Sequence, residues 1–476
     1  RNHPGQLSGT KDWLGCHTPE SRLRKQTHRR RKPRFSRCIA QVSKTERGRD
    51  KLRAALVLGV IDMTRIAVIG AGITGVTTAY ELHQRGFEVV VFDRNRYAAM
   101  ETSFANGGQL SASNAEVWTQ WGTVLKGIKW MLQADAPLLV NPAPTLHKMR
   151  WMTEFLSNIP NYRANTVETV RLAIQARSVL FEMADREGID FDLERRGILH
   201  FYKKAKDLAH ARKVNDLLTE GGLDRREISV DEIRDIEPAL KGDIIGGFLT
   251  PSDSSGDIHK FTMGLAKACQ RRGATLRFGA KVDRVDAIGG KVQITEHGVA
   301  QIFDAVVVSA GIHSRDFAAQ LGDRVNIYPV KGYSITVNLD DAESQAAAPW
   351  ISLLDDRAKI VASRFGATRF RIAGTAEFNG ANRDIRADRI RPLTEWCEAH
   401  FPAISTENVV PWAGLRPMMP SMLPRVGRGR AEGVFYNTGH GHLGWTLSAA
   451  TARIVAAQVA DATGQTSLKP VQALAA

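Results

Sequence analysis

Six residues early in the chain, Gly70-Ala71-Gly72-Ile73-Thr74-Gly75, have the make-up of a phosphate cradle. Three glycines spaced G-x-G-x-x-G permit a tight turn, close approach of backbone to a pyrophosphate, and close packing of the helix that follows. That helix would turn its free N–H groups toward phosphate oxygens. Ile69 closes the apolar run before the loop, and Asp93, with Arg94 behind it, closes the next apolar run. A carboxylate at that place can accept a ribose hydroxyl. The pattern serves NAD and FAD alike, and glycine-rich turns also exist without ligands; the strand before and the helix after favour a dinucleotide.

Two further segments bear on which dinucleotide. ETSFANGGQLS, residues 101–111, offers small and amide residues (Ser103, Asn106, Gly107, Gly108, Gln109, then Leu110) that let a large ring system approach the backbone. NTGHGHLGWT, residues 437–446, sets Gly439, His440, Gly441, His442 and Leu443 ahead of a helix expected over about 443–459. A reduced flavin gathers negative charge near N1 and the adjacent carbonyl, which loop amides and a helix N-terminus would stabilise. The two histidines lie in a glycine loop with no third ligand close by, so no metal is expected; pocket-lining roles suit them better.

Arg416, in GLRP, carries a guanidinium fork able to bind a carboxylate bidentately, although an arginine beside a proline is more often a surface or ion-pair residue. Tyr333 and Lys331, in PVKGYS, are weaker candidates for the pocket wall; a buried tyrosine with a satisfied hydroxyl is the plainer reading. No catalytic carboxylate or histidine pair stands out, which is no obstacle where a cofactor performs the difficult step.

The elements that must hold these residues follow from periodicity. RIAVIG is a buried strand, Val76, Ala79, Tyr80 and Leu82 fall at helical spacing up to Gly86, and residues 87–92 form a second buried strand. This βαβ opening predicts a parallel sheet covered on its faces. Helices are expected near 165–187, 205–220 and 261–273; strands near 196–203, through ATLRFGAKVDRVDAIGGKVQITE and IFDAVVVSAG, and again between 326 and 378. The class is therefore α/β, a Rossmann-like domain with a parallel sheet plus an inserted, mainly antiparallel α+β substrate domain. The dinucleotide domain is assigned to 63–190, 256–325 and 413–466, the substrate domain to 191–255 and 326–412. Residues 467–476 are read as a tail.

Bulk properties narrow the classes further. With 43% hydrophobic and 24% charged residues, the 476-residue chain is neither disordered nor fibrous. A net charge of +15 suggests nucleic acid until it is located: residues 1–62 hold 16 Lys and Arg against 5 Asp and Glu, leaving 49 against 45 for the rest. The basic tail is expected to lie outside the fold, with Met63 as the natural start. A transit-like targeting segment and a nucleic-acid-binding arm are the competing readings of it. Cys16, Cys38, Cys269 and Cys397 show no metal or disulfide spacing, which fits a reducing compartment, the cytoplasm by default. No run of 18 apolar residues argues for a spanning helix. The Trp- and Pro-rich segment 113–165, with Lys126, Lys129, Lys148 and Arg150 beside Trp118, Trp121, Trp130 and Trp151, reads as packed helical connections, or as an amphipathic surface on anionic lipid.

Taken together, IGAGITGVTTAYEL, ETSFANGGQLS, PVKGYSITV, GLRPMMP and NTGHGHLGWT resemble the FAD-dependent D-amino acid dehydrogenases, of the superfamily with D-amino acid oxidase, glycine oxidase and sarcosine oxidase. The resemblance spans nearly all of 63–460. It implies FAD, held also by Val282 toward adenine and by Ala310 and Gly311 toward phosphate. It implies a substrate carboxylate on Arg416, with Tyr333 and His440 as further candidates for the catalytic pocket. The implied reaction converts a D-amino acid to a 2-oxo acid and ammonia and passes electrons to a quinone or another acceptor. Peripheral contact with the cytoplasmic face of the inner membrane stays open as the alternative reading of segment 113–165, and the location of the charge leaves no nucleic-acid partner expected. An amine oxidase of the glycine or sarcosine type, using oxygen, is the alternative.

Overall fold

Apolar runs with no polar alternation become strands that are buried on both faces. In the computed structural model, which describes residues 63–130 and 137–465, Arg65–Ile69 is such a strand, inside a six-stranded sheet. The order is Arg425–Arg428, Val434–Thr438, Ala305–Val308, Arg65–Ile69, Glu88–Asp93, Thr275–Phe278. All neighbours are parallel except the first pair. Glu88–Asp93 lies on one side of the first strand and Ala305–Val308 on the other, so the carboxyl end of Arg65–Ile69 is a topological switch point, where open α/β sheets bind ligands.

One face packs on the helices Ile73–Gln84, Tyr162–Glu187, Ile258–Arg271 and Gly444–Ala462, through residues such as Val76, Leu180, Phe261 and Val455. The opposite face meets an antiparallel meander, Val282–Ile288, Lys291–Glu296 and Val299–Phe303, whose Val285, Val292 and Ile294 bury against Ala67, Val90 and Val306.

A second sheet of nine strands is mainly antiparallel. Its central ladder joins Val409–Met418, Tyr328–Asn338, Arg369–Phe378 and Ile360–Phe365. Helix Ala387–His400 covers one face, with Leu393, Trp396 and Cys397 packed on Ile335, Ile360 and Ile372. Parallel pairings occur at Ser352–Asp355 with Ile198–Tyr202 and at Leu138–Val140 with Arg369–Phe378. The α/β class and the pairing of a parallel with a mainly antiparallel sheet are as the sequence predicts.

Two segments sit elsewhere than expected. Val409–Met418 pairs with Tyr328–Val337 at ten successive positions. A boundary at 412/413 would cut this ladder in the middle, so residues 413–418, Arg416 included, belong with the mixed sheet. Leu138–Val140, assigned to the dinucleotide domain, also joins that sheet. Contacts from Met63 onward group into one unit. The expectations for 1–62 and 467–476 fall outside the described residues. Cys269 and Cys397 are buried and unpaired. No helix among the described residues is long and apolar enough to cross a membrane.

Candidate active site

A cavity of about 790 Å³ runs from the glycine loop at the switch point to Arg416 in the mixed sheet. The three glycines line up with different demands. Gly70 has φ +107°, and a Cβ there would lie 2.5 Å from the Ser309 carbonyl oxygen. A Cβ on Gly75 would stand 1.8 Å from Gly70 O, so Gly75 serves the packing of helix on strand. Gly72 differs: φ is an ordinary −73°, and the nearest atom to an added Cβ is Ser103 Oγ at 3.5 Å. Nothing in the chain itself requires glycine there, so the space belongs to the cavity and to whatever enters it.

Helix Ile73–Gln84 begins at this point without a side-chain cap on Gly72, leaving its N-terminus to the cavity. Ile73 N–H donates to Ser103 Oγ at 3.1 Å. Across the loop, Ser309 Oγ is buried, lines the cavity and has no hydrogen-bond partner among the described residues. An orphaned hydroxyl, a side-chain-sized gap and a helix N-terminus with no cap from Gly72 together fit a dinucleotide.

Asp93 acts on the loop directly. Its Oδ2 accepts from Ala71 N at 2.6 Å and its Oδ1 from Asn95 N at 2.8 Å. Burial raises its pKa, opposed by these amides. A carboxylate has about four acceptor sites, so a ribose hydroxyl can still be received. Ile69, Gly70, Gly72, Ile73, Thr74 and Arg94 line the cavity, as do Val282, Ala310 and Gly311. Ala71, Gly75 and Leu110 do not; they stand behind the wall, Ala71 and Leu110 in the core.

The segment 101–109 is clamped to the mixed sheet. Thr102 Oγ1 donates to Leu415 O at 2.8 Å, Ser334 Oγ to Ala105 O at 2.7 Å, and Ser363 Oγ to Gly107 O at 2.9 Å. Ser103, Asn106, Gly107, Gly108 and Gln109 face the cavity. Glu101 pairs with Arg94 and Arg383, which hold its carboxyl below the usual range against the burial that pushes it up.

From the opposite wall comes the loop before helix Gly444–Ala462, with Gly439, His440, Gly441, His442 and Leu443 all on the cavity. His440 is buried, and Thr451 Oγ1 lies 2.9 Å from its Nε2. The same Thr451 hydroxyl also reaches the helix carbonyls of Leu447 and Ser448, at 3.2 and 3.1 Å. Burial pushes this imidazole down to about 3, so it stays neutral. His442 stacks on Trp118 at 4.9 Å, and its Nε2 donates to Asn114 O at 3.3 Å. Burial, then the charge of Arg416, pushes it down to about 4. Among the described residues no group of three or more His, Cys, Asp or Glu side chains is placed to hold a metal ion.

Arg416 is walled in by protein, and the surface it keeps faces the cavity. Its guanidinium lies flat on Gly332, and Nη1 donates to Thr375 O at 2.9 Å. No carboxylate pairs with it among the described residues, and burial alone pushes its pKa down to about 10. A cation drawn this far out of solvent without a counter-ion is destabilised, and an entering anion relieves that cost.

Tyr333 also lines the cavity, but its hydroxyl donates to Glu377 Oε2 at 2.8 Å. Burial first, then Glu377, raises its pKa. Lys331, fully buried, sits 3.4 Å from Glu377 Oε1 and donates to Asn382 Oδ1 at 2.6 Å. Both side chains are thus engaged in a buried polar cluster beside the cavity.

Sequence reasoning passed over Gly332, Thr375 and Trp118. A glycine inside an alternating strand pattern is a signal of close approach, and would have found Gly332. Thr375 gives no such signal. Trp118 was placed among packed helical connections.

A family model described as FAD dependent oxidoreductase matches residues 65–458. D-amino acid dehydrogenase 3 of Mesorhizobium japonicum is 63% identical over 401 residues, which cover 84% of this chain and 97% of that protein. D-amino acid dehydrogenase of Dechloromonas aromatica is 38% identical, covering 83% and 96%. Among solved structures, glycine oxidase from Geobacillus kaustophilus superposes with TM-score 0.67 at 21% identity, covering 84% of this chain and 95% of its own, a likeness of fold. With a matched model over almost all the described residues and a glycine loop, a clamped segment and a histidine loop converging on one cavity, the chain belongs to the family of FAD-dependent oxidoreductases.

Proposed function

We propose that this protein oxidises D-amino acids to 2-oxo acids and ammonia. The observation that carries the reading is Arg416: a half-buried guanidinium with no acidic partner among the described residues, at one end of a cavity whose other end fits a dinucleotide. A substrate carboxylate supplies the missing counter-charge and can use the guanidinium donors bidentately, which fixes Cα with respect to the cofactor. FAD, when bound, supplies the chemistry by accepting hydride from Cα. The amine gives up its proton to solvent beforehand, and water then hydrolyses the imino acid. His440 and His442, kept neutral by burial, place no second positive charge beside the amine. The D configuration is supported by the dehydrogenase relatives, at 63% and 38% identity.

For the next electron carrier we propose a quinone at a membrane surface. Trp121, Leu125, Leu146 and Met149 are exposed by 55–67% on helices Trp121–Trp130 and Leu146–Ser157, with the cations Lys126 and Arg150 among them. Apolar residues of the same helices, Val124, Trp151 and Phe155, line the cavity together with Leu138. That combination suits an anionic bilayer and an apolar carrier dissolved in it.

The test is a panel of D- and L-amino acids assayed with a dye acceptor, alongside oxygen consumption. Turnover of D-amino acids such as D-alanine with little peroxide is expected. Turnover of L-amino acids only, or of glycine and sarcosine with stoichiometric peroxide, would overturn the reading in favour of an amine oxidase.

A further inference from the structure

Among the described residues, Thr375 is the one β-branched cavity residue whose backbone conformation works against its side chain. It has φ +62° within strand Arg369–Phe378, a region that β-branched residues avoid. The cause is visible in the register: Lys331 pairs with Glu377 and Tyr333 with Gly374, so Thr375 and Ala376 together oppose Gly332. This is a bulge, and bulges re-aim side chains. Its far side is pinned, because Ala376 N donates to Pro137 O at 2.7 Å and pairs with Leu138.

The bulge has two results at the cavity. Thr375 O meets Arg416 Nη1 at 2.9 Å, which sets the plane of the guanidinium lying on Gly332. Thr375 lines the cavity, 7% exposed, and its Oγ1 is buried at the wall without any hydrogen-bond partner among the described residues. A strained β-branched residue with an orphaned hydroxyl beside an unpaired guanidinium is poorly explained by folding alone, since glycine would relieve the strain and valine would leave no unmet polar group.

We propose that Thr375 is a substrate-contacting residue, its hydroxyl donating to the same α-carboxylate that Arg416 binds, so that the bulge forms a two-residue carboxylate receptor. The proposal rests on the amino acid reading of the cavity. The carbonyl fixes the arginine and the hydroxyl completes the grip. Because the carboxylate is held throughout the reaction, loss of the hydroxyl should weaken binding far more than turnover.

The test uses the flavin-loaded full chain and compares T375V, which keeps the shape and the β-branch, with T375S, which keeps the hydroxyl. The probes are D-alanine and propionate, a carboxylate of the same length without the amine, read as a competitive inhibitor. In T375V, KM for D-alanine and the inhibition constant for propionate should both rise roughly 10-fold or more, the loss expected for a hydrogen bond to a charged group. In the same variant kcat should stay within about twofold, and T375S should restore both constants. If T375V fails to hold flavin, T375A carries the same comparison. Wild-type constants in T375V, with R416L severely impaired, overturn the role of Thr375 alone. Wild-type constants in R416L would instead remove the amino acid reading beneath it.

Discussion

A Cβ placed on Gly332 would lie 2.2 Å from Nη2 of Arg416 and 2.3 Å from its Cζ, so the guanidinium rests directly on the backbone of the neighbouring strand. Registers of Val330 with Arg416 and of Gly332 with Gly414 bring the two together across the Tyr328–Asn338 and Val409–Met418 ladder. G332A therefore has to push the guanidinium off its seat. KM for D-alanine is expected to rise by about 10-fold or more, as for loss of a charge-assisted contact, while flavin content stays normal. Unchanged kinetics in G332A would show that the arginine's seat does not matter.

Removing the charge itself is the stronger perturbation. R416L should lower kcat/KM for D-alanine by roughly 10- to 150-fold, corresponding to about 1.5–3 kcal/mol for a hydrogen-bonded ion pair. R416K should recover only part, because a single ammonium cannot reproduce the planar fork. Equal kcat/KM in R416L and the parent protein would remove Arg416 from substrate binding.

His440 sets an expectation for stability against pH. Its folded pKa is about 3, against about 6.5 for an unperturbed imidazole. Between those values the unfolded chain binds the proton and the folded chain does not, so stability falls as pH falls through this window. The contribution of the single group approaches about 1.4 kcal/mol per pH unit. H440Q, which can keep the bond to Thr451, should show a shallower decline in chemical denaturation between about pH 6 and 4. Parallel declines for the two proteins would refute the assignment.

The proposed membrane face separates from catalysis in a double variant. W121S with L125S should reduce sedimentation with anionic vesicles and slow reduction of a bilayer-embedded quinone. Dye-coupled oxidation of D-alanine should be unaffected, because both side chains point outward, 63% and 65% exposed. Undiminished vesicle binding would refute the docking role of these helices.

What could be read from the sequence was what local patterns encode. GAGITG, its flanking strands and Asp93 lie within one βαβ unit, where turn, strand and helix are all decided by near neighbours. The helices Tyr162–Glu187 and Gly444–Ala462 carry their own periodicity and were placed within a few residues. The domain boundary near 412 and the surroundings of Arg416 escaped for the opposite reason. They depend on how strands about 40 to 90 residues apart align, and one step of register exchanges every side chain between faces. The bulge at Thr375 is such a step. Tyr333 likewise sits on the cavity as a candidate, yet only the fold reveals that Glu377 engages its hydroxyl.

The clamps from Thr102, Ser334 and Ser363 join segment 101–109 to the sheet that carries Arg416. Ordering that segment around a ligand therefore also braces the strands beyond it, and loosening it lets them slacken. Loading with flavin should accordingly raise the melting temperature of both sheets in a single step, and a preparation short of cofactor should lose its grip on amino acids before it loses its secondary structure.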